Sequence, residues 1–212
     1  IGMRFDDRIT GRLDNYAKQA KVIHLDIDPV EIDKNVKTTV AVIGDCKKSL
    51  PAITQLLKHA DHSEWIASFQ PLIQKETEEV IKPATHPTSG LLLMGEVVTE
   101  VSRQSADNAI MVNDVGLHQM FSSRYFHYRH PRSIVTSGGL GTMGFGLPAA
   151  IGATFGAPDR MVCFFTGDGS FQMTIEELGT VMEQQAPVKI ILLNNNYLGN
   201  VRQWQDLMFN HR

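Results

Sequence analysis

Two short stretches carry residue types that could do chemistry together. "GDGSF" sets Asp168 between Gly167 and Gly169, and "NNNYLG" sets Asn195 27 positions further on. A carboxylate and an amide oxygen are hard ligands of the kind Mg²⁺ takes, and Mg²⁺ commonly shares them with phosphate oxygens. Gly167 and Gly169 let the backbone approach such a phosphate closely. Ser170 and the N–H groups of the helix expected after it would donate to an anion. Upstream, Asn113 and Asp114 end an apolar run ahead of the polar turn "VGLHQM", which carries His118, and Ser137–Gly139 open a glycine-rich loop. Gly, Asp and Asn are also ordinary loop-tip residues. Only their meeting in space would make a diphosphate site bridged by Mg²⁺.

The elements that must bring them together are legible as alternating patterns. "AIMVND" (109–114), "SIVTSGG" (133–139), "RMVCFFTGDG" (160–169) and "VKIILLNNN" (188–196) read as apolar strands. Helical patterns cover 91–104, "FGLPAAIGATFGA" (145–157) and "TIEELGTVMEQ" (174–184). Strands apolar on both faces and alternating with helices imply an α/β fold of parallel sheets with helices on both faces. Crossovers then return each strand in the same direction, so Asp168, Asn195, Asn113–Asp114 and Ser137–Gly139 reach one carboxyl edge. That edge is where open α/β sheets bind ligands.

The first part of the chain has its own β/α pattern. "KVIHLDIDP" (21–29) and "TTVAVIGD" (38–45) read as strands, and "SLPAITQLLKHA" (49–60) as a helix. A further helix is expected over 63–80, where Trp65, Ile66, Phe69, Leu72 and Ile73 recur at helical spacing. "IKPATHPTSG" (81–90) reads as a linker. The expected organisation is therefore a first domain over 1–60, a helix and linker over 61–88, and a second domain over 89–212.

Composition excludes several classes. The 212 residues are 42% hydrophobic and 20% charged with net charge -3, which gives no reason to expect nucleic acid or an anionic membrane as partner. No apolar run approaches the roughly 20 residues that cross a bilayer, and Arg4, Asp6, Asp7 and Arg8 interrupt any signal-peptide core. Cys46 and Cys163 lie far apart, as expected for reduced thiols in a cytoplasmic protein. The opening "IGMRFDDR" and the closing "MFNHR" read as cuts within a longer polypeptide.

"GDG" followed after a helix and a strand by "NN" closely resembles the thiamin-diphosphate motif. "TSGGLGTMGFGLPAAIGA" (136–153), "GDGSFQMTIEELGTVMEQQAPVKIILLNN" (167–195) and "LGNVRQWQ" (198–205) narrow the resemblance to the catalytic large subunits of acetohydroxyacid (acetolactate) synthases. "GMRFDDRITG" (2–11) resembles that family's Rossmann-like middle domain, where related chains bind FAD.

The resemblance implies thiamin diphosphate, Mg²⁺ and FAD as cofactors. Asp168 and Asn195 would bind the metal by side chain and Tyr197 by its backbone carbonyl. Gly169 and Ser170 would donate to the diphosphate beside Gly167, as would the turn Val115, Gly116, Leu117 and His118, with Leu117 contributing backbone only. Met143 would wedge beneath the cofactor and hold it bent, and the Gly141 carbonyl would accept from its amino group. Leu198, Gly199 and Asn200 would continue the wall, Asn200 standing where the family is expected to carry methionine. Trp204 would wall the acceptor pocket and favour 2-oxobutyrate over a second pyruvate. Gly2, Met3, Arg4, Phe5 and Asp6, with Asp26 and Asp45, are the candidates for FAD.

The implied reaction is decarboxylation of pyruvate and joining of its two-carbon unit to a second 2-oxo acid, giving acetolactate or acetohydroxybutyrate for branched-chain amino acids. The implied assembly is a homo-oligomer of large subunits with a possible regulatory small subunit. The glutamate that activates the cofactor would come from a separate domain, so the 212 residues alone are expected to be inactive. Two other readings stand beside this one: another thiamin-diphosphate decarboxylase or oxidase, and a noncatalytic FAD- or nucleotide-binding module. Taken singly, His118 and Met143 would be core residues, Trp204 would pack with Val201 and Leu207, and "FDDR" would be a solvated turn.

Overall fold

Parallel pairing organises both parts of the chain. The computed structural model describes residues 1–86 and 90–212; Pro87, Thr88 and Ser89, part of the expected linker, lie outside the described residues. The chain divides into two units, Ile1–Trp65 and Ile66–Arg212.

In the first unit, α1 (Asp7–Thr10) is capped by Asp6, whose side chain accepts from Arg8 N at 3.2 Å. β1 (Ile23–Asp26) pairs in parallel with β2 (Val40–Ile43), Asp26 lying opposite Ile43. Phe5 is buried and meets the His24 ring edge-on, centroids 5.0 Å apart. α2 (Cys46–Leu56) starts three positions before the expected helix because Asp45 caps it, accepting from Lys47 N at 2.8 Å. A short helix, α3 (Ser63–Ser68), spans the point of division.

The second unit opens with α4 (Gln70–Glu76), a π-turn over Thr77–Ile81 and α5 (Lys82–Thr85). Residues 81–85 of the expected linker are therefore helical. Pro83 sits in the first turn of α5, where its missing N–H costs nothing, and Ile81 and Ala84 pack onto the core. α6 (Met94–Gln104) follows, starting after the exposed Leu91 and Leu92.

Four strands then build one parallel sheet in the order β4-β3-β5-β6: β3 (Ile110–Asn113), β4 (Ile134–Thr136), β5 (Val162–Gly167) and β6 (Val188–Leu193). Its side chains divide by the period of two. Met111, Cys163, Phe165 and Leu193 face one core with Val98 of α6 and Tyr125 of α7 (Leu117–Tyr125). Ile110, Val112, Val162 and Phe164 face the other with Leu147, Ala150 and Ile151 of α8 (Gly146–Gly156). The central strands β3 and β5 are covered on both faces, as their apolar runs require, while Ile134 of β4 and Ile190 and Leu192 of β6 are exposed.

Two further elements of the second unit differ from the sequence reading. The stretch read as a polar turn after β3 becomes helical at Leu117. Helical backbone begins earlier than expected, in α9 (Asp168–Phe171), and the helix expected over 174–184 is divided between a 3-10 turn (Gln172–Glu177) and α10 (Leu178–Glu183). Thr174 leaves helical geometry there, at φ -140°, while its Oγ1 donates to Gly144 O at 3.0 Å. α11 (Gly199–Met208) closes the chain. No helix among the described residues is long and apolar enough to cross a membrane.

Candidate functional site

β3 and β5 are neighbours whose connections leave in opposite directions, β3 through α7 to β4 and β5 through α10 to β6. The crevice between their carboxyl ends is thus a switch point of the sheet, the place where α/β folds bind ligands. A pocket of about 170 Å³ lies there. Val115, Gly116, Leu117 and His118 form one side, after β3; Gly167, Asp168, Gly169 and Ser170 form another, after β5. Gly141 and Met143 come from the loop after β4, and Asn195, Tyr197, Leu198, Gly199 and Asn200 from the segment after β6. Every expected thiamin-diphosphate and metal residue of the second unit except Trp204 therefore lines one pocket.

Glycines shape the walls. A Cβ on Gly167 would come within 2.7 Å of His118 Nδ1, one on Gly116 within 2.6 Å of the same ring, and one on Gly199 within 2.3 Å of Leu117 Cδ1. A Cβ on Gly169 would meet Leu198 Cδ2 at 2.5 Å. Gly141 takes φ +64°, open to glycine without strain.

Polar groups within this wall lack partners. His118 Nε2, Ser170 Oγ and Asn200 Oδ1 are buried atoms with no hydrogen-bond partner. Burial holds the His118 imidazole below its ordinary pKa, against the opposing pull of Asp114 and Asp168, so the ring is kept neutral near pH 7. Asp168 is half-buried. The asparagines also do local work: Asn194 Oδ1 accepts from Asn196 N at 2.9 Å, and Asn195 Oδ1 from Tyr197 N at 3.2 Å. The second lone pair of the Asn195 oxygen remains open to a cation. Among the described residues no group of three or more His, Cys, Asp or Glu side chains gathers. One carboxylate plus amide and backbone oxygens suits a metal that takes most of its shell from a phosphate ligand. The orphaned Ser170 hydroxyl and His118 Nε2, with a glycine-lined wall, fit the diphosphate of such a ligand, whereas the Asn200 oxygen can only accept.

Trp204 lies on α11, 53% exposed, and lines neither this pocket nor the groove beside it formed by Arg202, Gln203, Asp206 and Leu207. Three lining residues escaped the sequence reading: Met94, Leu193 and Val201. Leu193 could have been found as the last strand residue before the asparagines. Met94 gave no signal, since it reaches the pocket from the start of α6, far away in the chain.

In the first unit Asp26 ends β1 and Asp45 follows β2, so both stand at one edge of the parallel pair. Gly2 N donates to Leu25 O at 2.9 Å, which lays the segment with Met3, Arg4 and Phe5 beside that edge. Asp26 is buried, 3.7 Å from His24 Nε2, and accepts from Asp28 N.

Family comparison meets this geometry. Residues 114–212 match the model "Thiamine pyrophosphate enzyme, C-terminal TPP binding domain", and residues 1–53 match "Thiamine pyrophosphate enzyme, central domain". The chain belongs to the thiamine pyrophosphate enzyme family. Within that family it is 43% identical over 211 residues to "Acetolactate synthase 1, chloroplastic" of Nicotiana tabacum, covering 99% of this chain and 32% of the relative. It is 42% identical over 212 residues to "Acetolactate synthase isozyme 2 large subunit" of Escherichia coli K12, covering 100% and 37%. Likewise it is 42% identical over 218 residues to "Acetolactate synthase large subunit" of Haemophilus influenzae, again covering 100% and 37%. The chain spans about a third of the length of these relatives.

Proposed function

We propose that this chain is the part of an acetolactate synthase large subunit that holds the diphosphate end of thiamin diphosphate. The observation that carries the reading is the convergence of four strand-end segments on one glycine-walled pocket, in a chain similar along its whole length to acetolactate synthases. Asp168, Asn195 and the Tyr197 carbonyl would hold Mg²⁺. Gly169, Ser170, His118 and the Val115–His118 turn would hold the diphosphate, with Gly167 making room. Met143 would support the bent cofactor, its flexible thioether suiting an irregular gap. The Gly141 carbonyl would accept from the cofactor's amino group. When bound, thiamin diphosphate supplies the carbon nucleophile and the electron sink for decarboxylating pyruvate. The chain's own residues would place it and hold its diphosphate beside His118.

FAD is assigned to the first unit on the likeness of "GMRFDDRITG" and on Asp26 and Asp45 at one strand edge. The substrates in this reading are pyruvate and 2-oxobutyrate. The assembly is a homo-oligomer, and the relatives' designation as large subunits supports a regulatory small subunit beside it. The two cysteines are free, in keeping with a reducing compartment such as the cytoplasm.

The test is product analysis on the full-length protein with Mg²⁺, thiamin diphosphate and FAD, given pyruvate with and without 2-oxobutyrate. Acetolactate alone and acetohydroxybutyrate in the mixture are expected. Acetaldehyde or acetyl phosphate would keep the cofactor site and overturn the carboligation.

A further inference from the structure

Asp114 follows β3 with its side chain fully buried, at the point where the strand becomes pocket wall. A single oxygen, Oδ1, accepts from two amides, Val115 N at 2.9 Å and Gly144 N at 2.8 Å. The two amides belong to different walls. Val115 opens the turn that carries His118; Gly144 follows Met143 in the loop after β4.

Gly144 is held through both of its peptide groups, because its carbonyl accepts from Thr174 Oγ1 at 3.0 Å. Space around it is closed. A Cβ on Gly144, which takes φ +87°, would come within 2.9 Å of Met173, and one on Gly146 within 3.0 Å of Asp114 Cβ. At its other end the same loop is held through Ser137, whose carbonyl accepts from Gly141 N and whose hydroxyl accepts from Thr142 N. Between these two anchors Leu140 is 93% exposed, while Met143 is half-buried against the pocket. Burying a carboxylate is costly unless it is hydrogen-bonded, and a strand end needs no carboxylate merely to turn.

We propose that Asp114 is a positioning residue that clamps the Met143 loop to the His118 turn, fixing the cofactor support relative to the diphosphate wall. The proposal rests on the thiamin-diphosphate reading of the pocket. It predicts that the hydrogen-bond acceptor matters, not the negative charge, since one oxygen makes both bonds.

The test uses the full-length protein with Asp114→Ala, Asp114→Asn and Thr174→Val. Two readouts are taken: kcat and KM for pyruvate in the holoenzyme, and deuterium uptake by backbone amides 138–147 in the apoprotein. Asp114→Ala should lower kcat by about 100-fold while KM moves less than about threefold, and speed uptake about tenfold, as expected when two buried backbone amides lose their shared acceptor. Asp114→Asn keeps an acceptor and should recover both to within about fivefold. Thr174→Val should loosen Gly144 on its carbonyl side by about tenfold in uptake, and Asp114→Asn, which keeps shape and volume, decides the matter if Asp114→Ala does not fold. Native kcat and uptake in Asp114→Ala, or an Asn variant as impaired as Ala, would overturn the clamp. A wild-type protein that leaves pyruvate untouched would sink the functional reading instead, while the uptake comparison still reports on the clamp.

Discussion

Gly146 shows how tightly single residues are specified around this pocket. A Cβ there would lie 2.3 Å from Phe164 Cε2 and 3.0 Å from the Asp114 backbone nitrogen, both in the fixed core. Gly146→Ala should therefore cost about 1–3 kcal/mol of stability by overpacking, read as a lower denaturant midpoint with unchanged slope. Gly167→Ala meets the His118 ring instead, and should weaken thiamin-diphosphate binding by about tenfold through displacement of that ring. Cys163 supplies a pH test. Burial pushes its thiol up to about 11 from the ordinary 9.0, so it stays neutral in the fold while the unfolded thiol ionises first. Stability should be unaffected by this group below pH 9 and fall as pH rises toward 11, and Cys163→Ala should flatten that decline in denaturation curves. Asp168 between two glycines, Asn195 and His118 in its turn were legible as residue types suited to a Mg²⁺-diphosphate, whereas Gly141, Met143 and the wall Tyr197–Asn200 came only from the family resemblance. Met94 and the clamping role of Asp114 were not legible, since one arrives by distant packing and the other looks like any residue ending a strand.

Elements were legible where hydrophobic period decides them. All four strands of the sheet were readable from apolar runs, and their faces divide as the period of two requires. Boundaries were set by contacts the local sequence does not announce. Asp45 moves the start of α2, and Thr174 breaks the helix after β5 to reach Gly144. α7 was hidden because its first turn holds mixed polar residues and its anchoring is tertiary: Asn113 Nδ2 donates to the hydroxyls of Ser122 and Ser123 at 3.1 Å. At the opposite edge of the sheet Arg160 holds three strands together. Its guanidinium donates to Asn108 O and Ala109 O before β3 and to Ser133 Oγ before β4, while Arg160 itself precedes β5. Arg160→Ala should lower stability by about 1.5–3 kcal/mol, the range for bonds from a charged donor, without changing cofactor affinity.

For the molecule as a whole, the central claim is that a pocket built from four separate strand ends is one Mg²⁺-diphosphate site. The chain covers 32% to 37% of these relatives, and the proposed function assigns catalysis to a full-length chain. The isolated 212 residues should form no acetolactate from pyruvate even with every cofactor supplied. Binding should also raise the thermal midpoint of the full-length protein with ligand concentration, by mass action. The most direct measurement is calorimetric titration of thiamin diphosphate into the full-length protein with Mg²⁺, comparing wild type with Asp168→Ala. Tight binding by wild type, weakened by about 100-fold or more in the variant, is the expected result, because the only carboxylate assigned to the metal has gone. Equal affinity in the two proteins would contradict the assignment and with it the reading of the pocket.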